Sequence, residues 1–167
     1  MMKMKRIQKN VYITIGAILF SGLCSAGSAL AAPISAPSIK LEQANKAIQA
    51  CLSMARSHNI DISIAILDYN GDIVSFQRMD GANRLTIKFA TQKAMTSIVI
   101  KKPSKTAQDR ISQGHTQILA IEGILPIQGG LPIMVGKKLV GAIGVSGAPP
   151  VLDEKCAQIG LNALQIK

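Results

Sequence analysis

Aromatic side chains are scarce: the 167 residues contain no tryptophan and only 3% aromatics in all. Beyond residue 31 the aromatics are Tyr69, Phe76 and Phe89. Too few stacking platforms remain for a nucleic-acid surface, and a deep aromatic-lined pocket is disfavoured. Charge is also sparse, at 17% against a globular norm of roughly 25%. With 48% apolar residues, a disordered chain is excluded. Three cysteines and two histidines are too few and too dispersed for a zinc cluster. No internal repeat, collagen-like, coiled-coil or mucin-like segment occurs. What remains fits one globular domain of ordinary size.

The first 31 residues read as a secretory signal peptide. Lys3, Lys5, Arg6 and Lys9 form a basic start, an apolar run extends from Val11 to Leu23, and Ala29-Leu30-Ala31 supplies a small-x-small cleavage site. A membrane anchor would need about 20 apolar residues, and this run breaks into Ser, Gly and Ala before that length. Cys24 lacks the flanking residues of a lipidation site. The domain proper is therefore expected at residues 32–167, secreted or periplasmic, with no stable membrane span. Loss of the leader lowers the formal net charge from +10 to +6. A basic surface favours anionic partners. The pairs Lys101-Lys102 and Lys137-Lys138 are otherwise solvated loop ends. Cys51 and Cys156 survive cleavage; in an oxidising compartment they form a disulfide if their helices pack side by side, and otherwise are two buried thiols.

Apolar residues at three- and four-residue spacing from Leu41 to Ala55 predict a helix over 41–58, closed by His58-Asn59. Residues 62–69 and 73–76 predict two strands, joined at Asn70-Gly71 by a type I′ hairpin turn. A second helix is expected over 85–100, ended by Pro103, and a short polar helix over 104–113 with Ser104 as N-cap. Apolar runs at 123–128, 131–135 and 138–146 predict three more strands, the last two joined by Gly136-Lys137-Lys138. A final helix is expected over 152–166, with Asp153 and Glu154 facing its dipole. That order predicts an α+β layer fold with a five-stranded antiparallel sheet flanked by helices.

Standard catalytic signatures fail on inspection. Asp68-Tyr69-Asn70-Gly71-Asp72 begins like a calcium loop, but Ile73 and Met79 stand where glycine and the bidentate glutamate belong. Leu131 and Lys138 spoil a phosphate loop around Gly136-Lys137, and Gly141, Gly144 and Gly147 have the wrong spacing for a dinucleotide turn. No nucleophile elbow is present. The residues left unexplained are Arg78-Met79-Asp80-Gly81-Ala82, the pair Gly129-Gly130, and the glycine-rich strand Gly141-Ala142-Ile143-Gly144-Val145-Ser146-Gly147-Ala148. Glycines inside a strand signal close approach of another backbone or a ligand-facing floor. Arg78 and Lys93 either grip an anionic ligand or pair with Asp80.

These segments, in this order and with Lys93-Ala94 between them, closely resemble the GlcG/HbpS-like family of haem-binding proteins. The same domain occurs at the C-terminus of PduO-type cobalamin adenosyltransferases. The resemblance spans roughly residues 39–165. It implies a profilin-like fold, assembly into dimers or larger homo-oligomers, and binding of haem, ferric iron or a related tetrapyrrole. The ligand-binding candidates are the unexplained polar and glycine positions above: Arg78, Met79, Asp80, Lys93, Gly129, Gly130, Gly144 and Ser146. A haem iron needs an axial donor such as His, Met, Cys or Tyr, which nominates His115 and His58, with Met79 behind them. Haem is thus the expected cofactor, with a carrier, scavenger or sensor role. A small-anion binding module and a haem-degrading, peroxide-dependent enzyme stand as alternatives.

Overall fold

The computed structural model describes residues 37–164 of the chain; the expected leader, residues 1–31, lies outside them. Helix α1 (Leu41–Ser57) is followed by strands β1 (Ser63–Asp68) and β2 (Ile73–Arg78), then helices α2 (Leu85–Ile100) and α3 (Ser104–Ser112). A 3-10 turn at Gln117–Ala120 precedes β3 (Gly130–Val135), β4 (Lys138–Ser146) and α4 (Pro150–Asn162). The strands form one antiparallel sheet in the order β2-β1-β4-β3.

The two faces of the sheet differ in side-chain size, and that difference sets the layers. Ile64 and Ile66 of β1 lie beside Val145 and Ile143 of β4, and all four are fully buried. With Leu131 and Ile133 they pack against Ala44, Ala47, Ile48 and Cys51 of α1 and Ala157 of α4. Burying an Ile or Val of this kind is worth about 1.5–3 kcal/mol, so this side holds most of the core. The opposite face carries Ala65, Leu67, Ala142 and Gly144, because successive side chains alternate across a strand. Helix α2 lies on that thinner face, where Ala94 packs with Leu67 and Ala142.

The predicted fifth strand is absent: among the described residues the sheet has four strands. Residues 123–128 run as irregular chain whose polar backbone groups are met elsewhere. Leu125 N–H donates to Thr96 Oγ1 at 2.8 Å, Gln128 N–H to Gln108 Oε1 at 2.8 Å, and Ile127 C=O accepts from Ser104 Oγ at 2.7 Å. Pro126 has no N–H to give a ladder, and Gly123 takes a φ of +80°. Ser104 is accordingly no N-cap. Pro103 holds that place, and the buried Ser104 hydroxyl also accepts from Gly130 N–H at 2.9 Å.

The first hairpin forms where expected but with a different turn. Gly71 alone of the Asn70-Gly71 pair has a positive φ, at +97°. Gly71 N–H donates to Asp68 C=O and Asp68 N–H to Asp72 C=O, and the register slips by one residue between Ile66 and Leu67. The Asp68 carboxylate accepts from the N–H groups of Asn70 (2.8 Å) and Asp72 (3.0 Å). It therefore closes the turn, as short acidic side chains do. Helix α1 ends as predicted, with Asn59 left-handed at φ +52°. Helix α4 begins two residues before its predicted start, with Pro150 in its first turn, where a missing N–H is harmless.

Candidate functional site

The glycine-rich strand serves the fold of this chain. Gly144 of β4 sits opposite Gly130 of β3. A β-carbon at Gly144 would strike the Ala90 carbonyl, and one at Gly130 would strike the Lys93 carbonyl. The paired glycines let the α2 backbone press against the sheet, so the close neighbour is a helix, not a ligand. Gly129, at φ +125°, leaves room for the Lys93 ammonium beneath it.

Lys93 does not pair with Asp80. It is buried at 3% exposure, and its Nζ donates to Asp153 Oδ2 at 2.7 Å and to the Val145 carbonyl at 3.1 Å. Asp153 is 1% exposed, and its other oxygen accepts from Ala148 N–H at 3.0 Å. Burial pushes the Asp153 carboxyl above its ordinary value, while the Lys93 charge and hydrogen bond pull it back. The pair ties α2, β4 and the first turn of α4 together. The signal for it lay in the sequence: Lys93 occupies the same inward stripe as Ala90, Ala94 and Ser97, and a buried ammonium needs a buried carboxylate. Ser146 is buried in β4 opposite Ser63. Lys93, Gly129, Gly130 and Gly144 thus come together as the joint between α2 and the sheet.

Arg78, Met79 and Asp80 lie elsewhere, Arg78 as the last residue of β2 and the other two in the turn after it. Met79 N–H donates to Ile62 C=O at 3.0 Å, Ala82 N–H to Met79 C=O at 3.0 Å, and Arg78 Nη1 to Ala82 C=O at 3.2 Å. The Met79 side chain packs against the main core, which occupies it. Arg78 and Asp80 are exposed, and neither joins an ion pair among the described residues. They flank a shallow cleft of about 300 Å³ together with Arg56 and Asp61.

The two imidazoles differ in setting. His58, at the end of α1, has Nδ1 3.0 Å from both the Met54 carbonyl and Ser57 Oγ. His115 is exposed in the loop after α3. Neither lines any of the three clefts of about 780, 480 and 300 Å³, and no cluster of three metal-ligating side chains occurs among the described residues.

Two larger depressions remain. One, of about 780 Å³, runs along the polar side of α1 and is crossed by the exposed Lys46–Glu42 ion pair, 2.8 Å long. The other, of about 480 Å³, opens at the end of the sheet where α2 stops and the β3–β4 hairpin turns. Its apolar surface comes from Ile98, Met134 and Leu139, with Tyr69 and Pro37 beside them, and Lys101, Lys137 and Lys138 stand around it. Tyr69 and Met134 carry haem-iron donor atoms. In the sequence Tyr69 stands out only as an aromatic and Lys101 and Lys137 lie 36 positions apart, so nothing local announces this grouping.

Such a molecule is a small α+β domain whose inward polar groups hold the fold and whose clefts lie on its surface. A family model described as "Haem degrading protein HbpS-like" matches residues 39–162, and the chain belongs to this HbpS-like family, which includes GlcG. Protein GlcG of Escherichia coli K12 is 27% identical over 105 residues, covering 63% of this chain and 78% of GlcG. A 15.0 kDa protein encoded between dhaT and dhaS in Citrobacter freundii is 28% identical over 128 residues, covering 74% of this chain and 90% of that protein. Among solved structures, a double mutant of Streptomyces reticuli HbpS is 33% identical with a TM-score of 0.73, covering 80% of this chain and 97% of that one. The PduOC:heme complex shares the fold at a TM-score of 0.72 and 20% identity, covering 78% of this chain and 97% of that one.

Proposed function

We propose that this protein binds haem or a related tetrapyrrole as a secreted homo-oligomer, in a carrier, scavenger or sensor role. The observation that carries the reading is membership of the HbpS-like family across nearly the whole described domain. Haem, when bound, would supply a redox-active iron; exposed lysines of the chain would hold its carboxylates, and apolar side chains would cover the ring. Export is supported by the leader pattern of residues 1–31. No helix among the described residues is long and apolar enough to cross a membrane. Assembly is supported by apolar side chains left exposed along α2: Leu85 is 60% exposed, Ile87 40% and Val99 41%. Light scattering coupled to size exclusion tests it, and a monomer at micromolar concentration overturns it.

A visible-absorption titration of the purified protein with ferric haem tests the binding itself. A saturable, stoichiometric shift of the Soret band is expected. A weak change that never saturates overturns the reading and turns the search to small anions at Arg78 and the lysines. The family description favours a second activity, haem degradation. Protein-dependent bleaching of bound haem by hydrogen peroxide, beyond that of free haem, is its test.

A further inference from the structure

We infer that the cleft between the end of α2 and the β3–β4 hairpin is a binding site for a flat apolar molecule bearing carboxylates, and that Tyr69 is its iron donor when that molecule is haem. The inference rests on the haem reading above for the identity of the metal, and on the cleft itself for the rest.

Two separate chain segments bring three cations to this place. Lys101 is the C-cap of α2, Lys137 lies in the β3–β4 turn and Lys138 opens β4. All three are exposed, none has a carboxylate within ion-pair distance among the described residues, and no carboxylate lines the cleft. Like charges gathered without a counter-ion repel one another, and a bound dicarboxylate relieves that repulsion through charge-assisted hydrogen bonds. Lys101 also has a left-handed backbone, φ +52°, at a position where glycine or asparagine is favoured. A glycine there would end the helix at lower cost and remove one of the three cations.

Between the cations the surface is apolar. Ile98 ends the inner stripe of α2, and Met134 pairs with Leu139 across the hairpin. Met134 is 40% exposed and Tyr69 37%, so both present side-chain surface at the cleft. The segment at Pro37 closes one side, held to the sheet by the Ile39 N–H donating to Val140 C=O at 3.0 Å. A volume of about 480 Å³ falls within the range of roughly 300–1,000 Å³ for small-molecule sites. An apolar floor with cations at its edge selects an amphiphilic anion over a small hydrophilic one. The phenol of Tyr69 is the hard oxygen donor in this setting, suited to ferric iron.

The test uses the full chain and two probes, ferric haem and metal-free protoporphyrin IX, which share the dicarboxylate but differ in iron. The variant Lys101→Gln/Lys137→Gln/Lys138→Gln is compared with Lys40→Gln/Lys88→Gln/Lys155→Gln, which removes equal charge elsewhere. The expected result is at least a tenfold rise in Kd for both probes in the first variant and less than twofold in the second. Circular dichroism should match wild type in both. Tyr69→Phe should change the ferric haem spectrum and leave protoporphyrin affinity within twofold. If the cleft variant binds both probes like wild type, the cleft is overturned while haem binding stands. If protoporphyrin binds in a cleft-dependent way but haem does not saturate, the haem reading falls and the cleft stands. If neither probe saturates with wild type, both fall. An unchanged haem spectrum in Tyr69→Phe removes the tyrosine from the iron.

Discussion

Lys93 on α2 and Asp153 on α4 form an ion pair of 2.7 Å inside the domain, with both side chains at 3% exposure or less. Residues 60 positions apart in sequence thus fasten the helix on the thin face of the sheet to the helix on the thick face.

Removing one partner leaves an uncompensated buried charge. Lys93→Met should cost about 3–5 kcal/mol of unfolding free energy, read from urea denaturation. Adding Asp153→Asn, which keeps an acceptor for Ala148 N–H, should recover a large part of the loss. A loss below about 1 kcal/mol in the single variant would mean that water reaches the pair.

Burial raises the Asp153 carboxyl above its ordinary value of 3.8. Between 3.8 and that raised value the folded protein holds a proton that the unfolded chain has released. Stability from this group therefore falls as pH rises through the window and does not return above it. Wild type should gain on Asp153→Asn as pH is lowered from neutral toward the carboxylate range. Parallel urea titrations check this, and a difference that runs the other way contradicts it.

Gly144→Ala places a methyl group against the Ala90 carbonyl of α2. Overpacking of this kind costs about 1–3 kcal/mol, and Gly144→Val should exceed that range or prevent folding. Gly136→Asn is the control. That turn has φ +59° with nothing within 4 Å of the added carbon, and asparagine tolerates the conformation. Thermal melts should separate the two sites. Equal melts would show that α2 can withdraw from the sheet without loss.

Cys51 of α1 and Cys156 of α4 lie side by side, with Cα atoms 4.9 Å apart and the sulfurs joined, closing a loop of 105 residues in sequence separation. Alkylation of the non-reduced protein should find no free thiol at either position. Reduction should lower stability by about 2–5 kcal/mol. Two alkylated thiols without reductant would leave a pair of reduced core cysteines.

On the export proposed above, the mature protein should begin near Ala32. Intact mass and N-terminal sequencing read this directly, and retention of residues 1–31 would replace the cleaved leader with an anchor.

Local chemistry was sufficient for the helices. The apolar spacing of Leu41 to Ala55, Asn59 as a left-handed stop and Pro103 as a break all act within a turn or two of chain, so α1 and α2 were legible within a residue. The Asn70-Gly71 hairpin was legible as a turn, but its type was decided by the Asp68 carboxylate, which satisfies two N–H groups ahead of it. The run at 123–128 has strand-like composition. Its state depended on whether a neighbouring ladder was on offer, and Thr96, Ser104 and Gln108 took its backbone groups instead.

The sequence by itself determined the helical periods, the turn positions, the layer class and the family. Each is carried by residues whose influence is local, or by motifs that survive as strings. Only the tertiary structure decided that Lys93 meets Asp153, that the glycines of β3 and β4 receive a helix, and that Tyr69, Lys101 and Lys137 share a cleft. Those are pairings between distant segments. They are selected by the combined burial of many side chains and by the need to match each buried polar group, which no short stretch of sequence encodes alone.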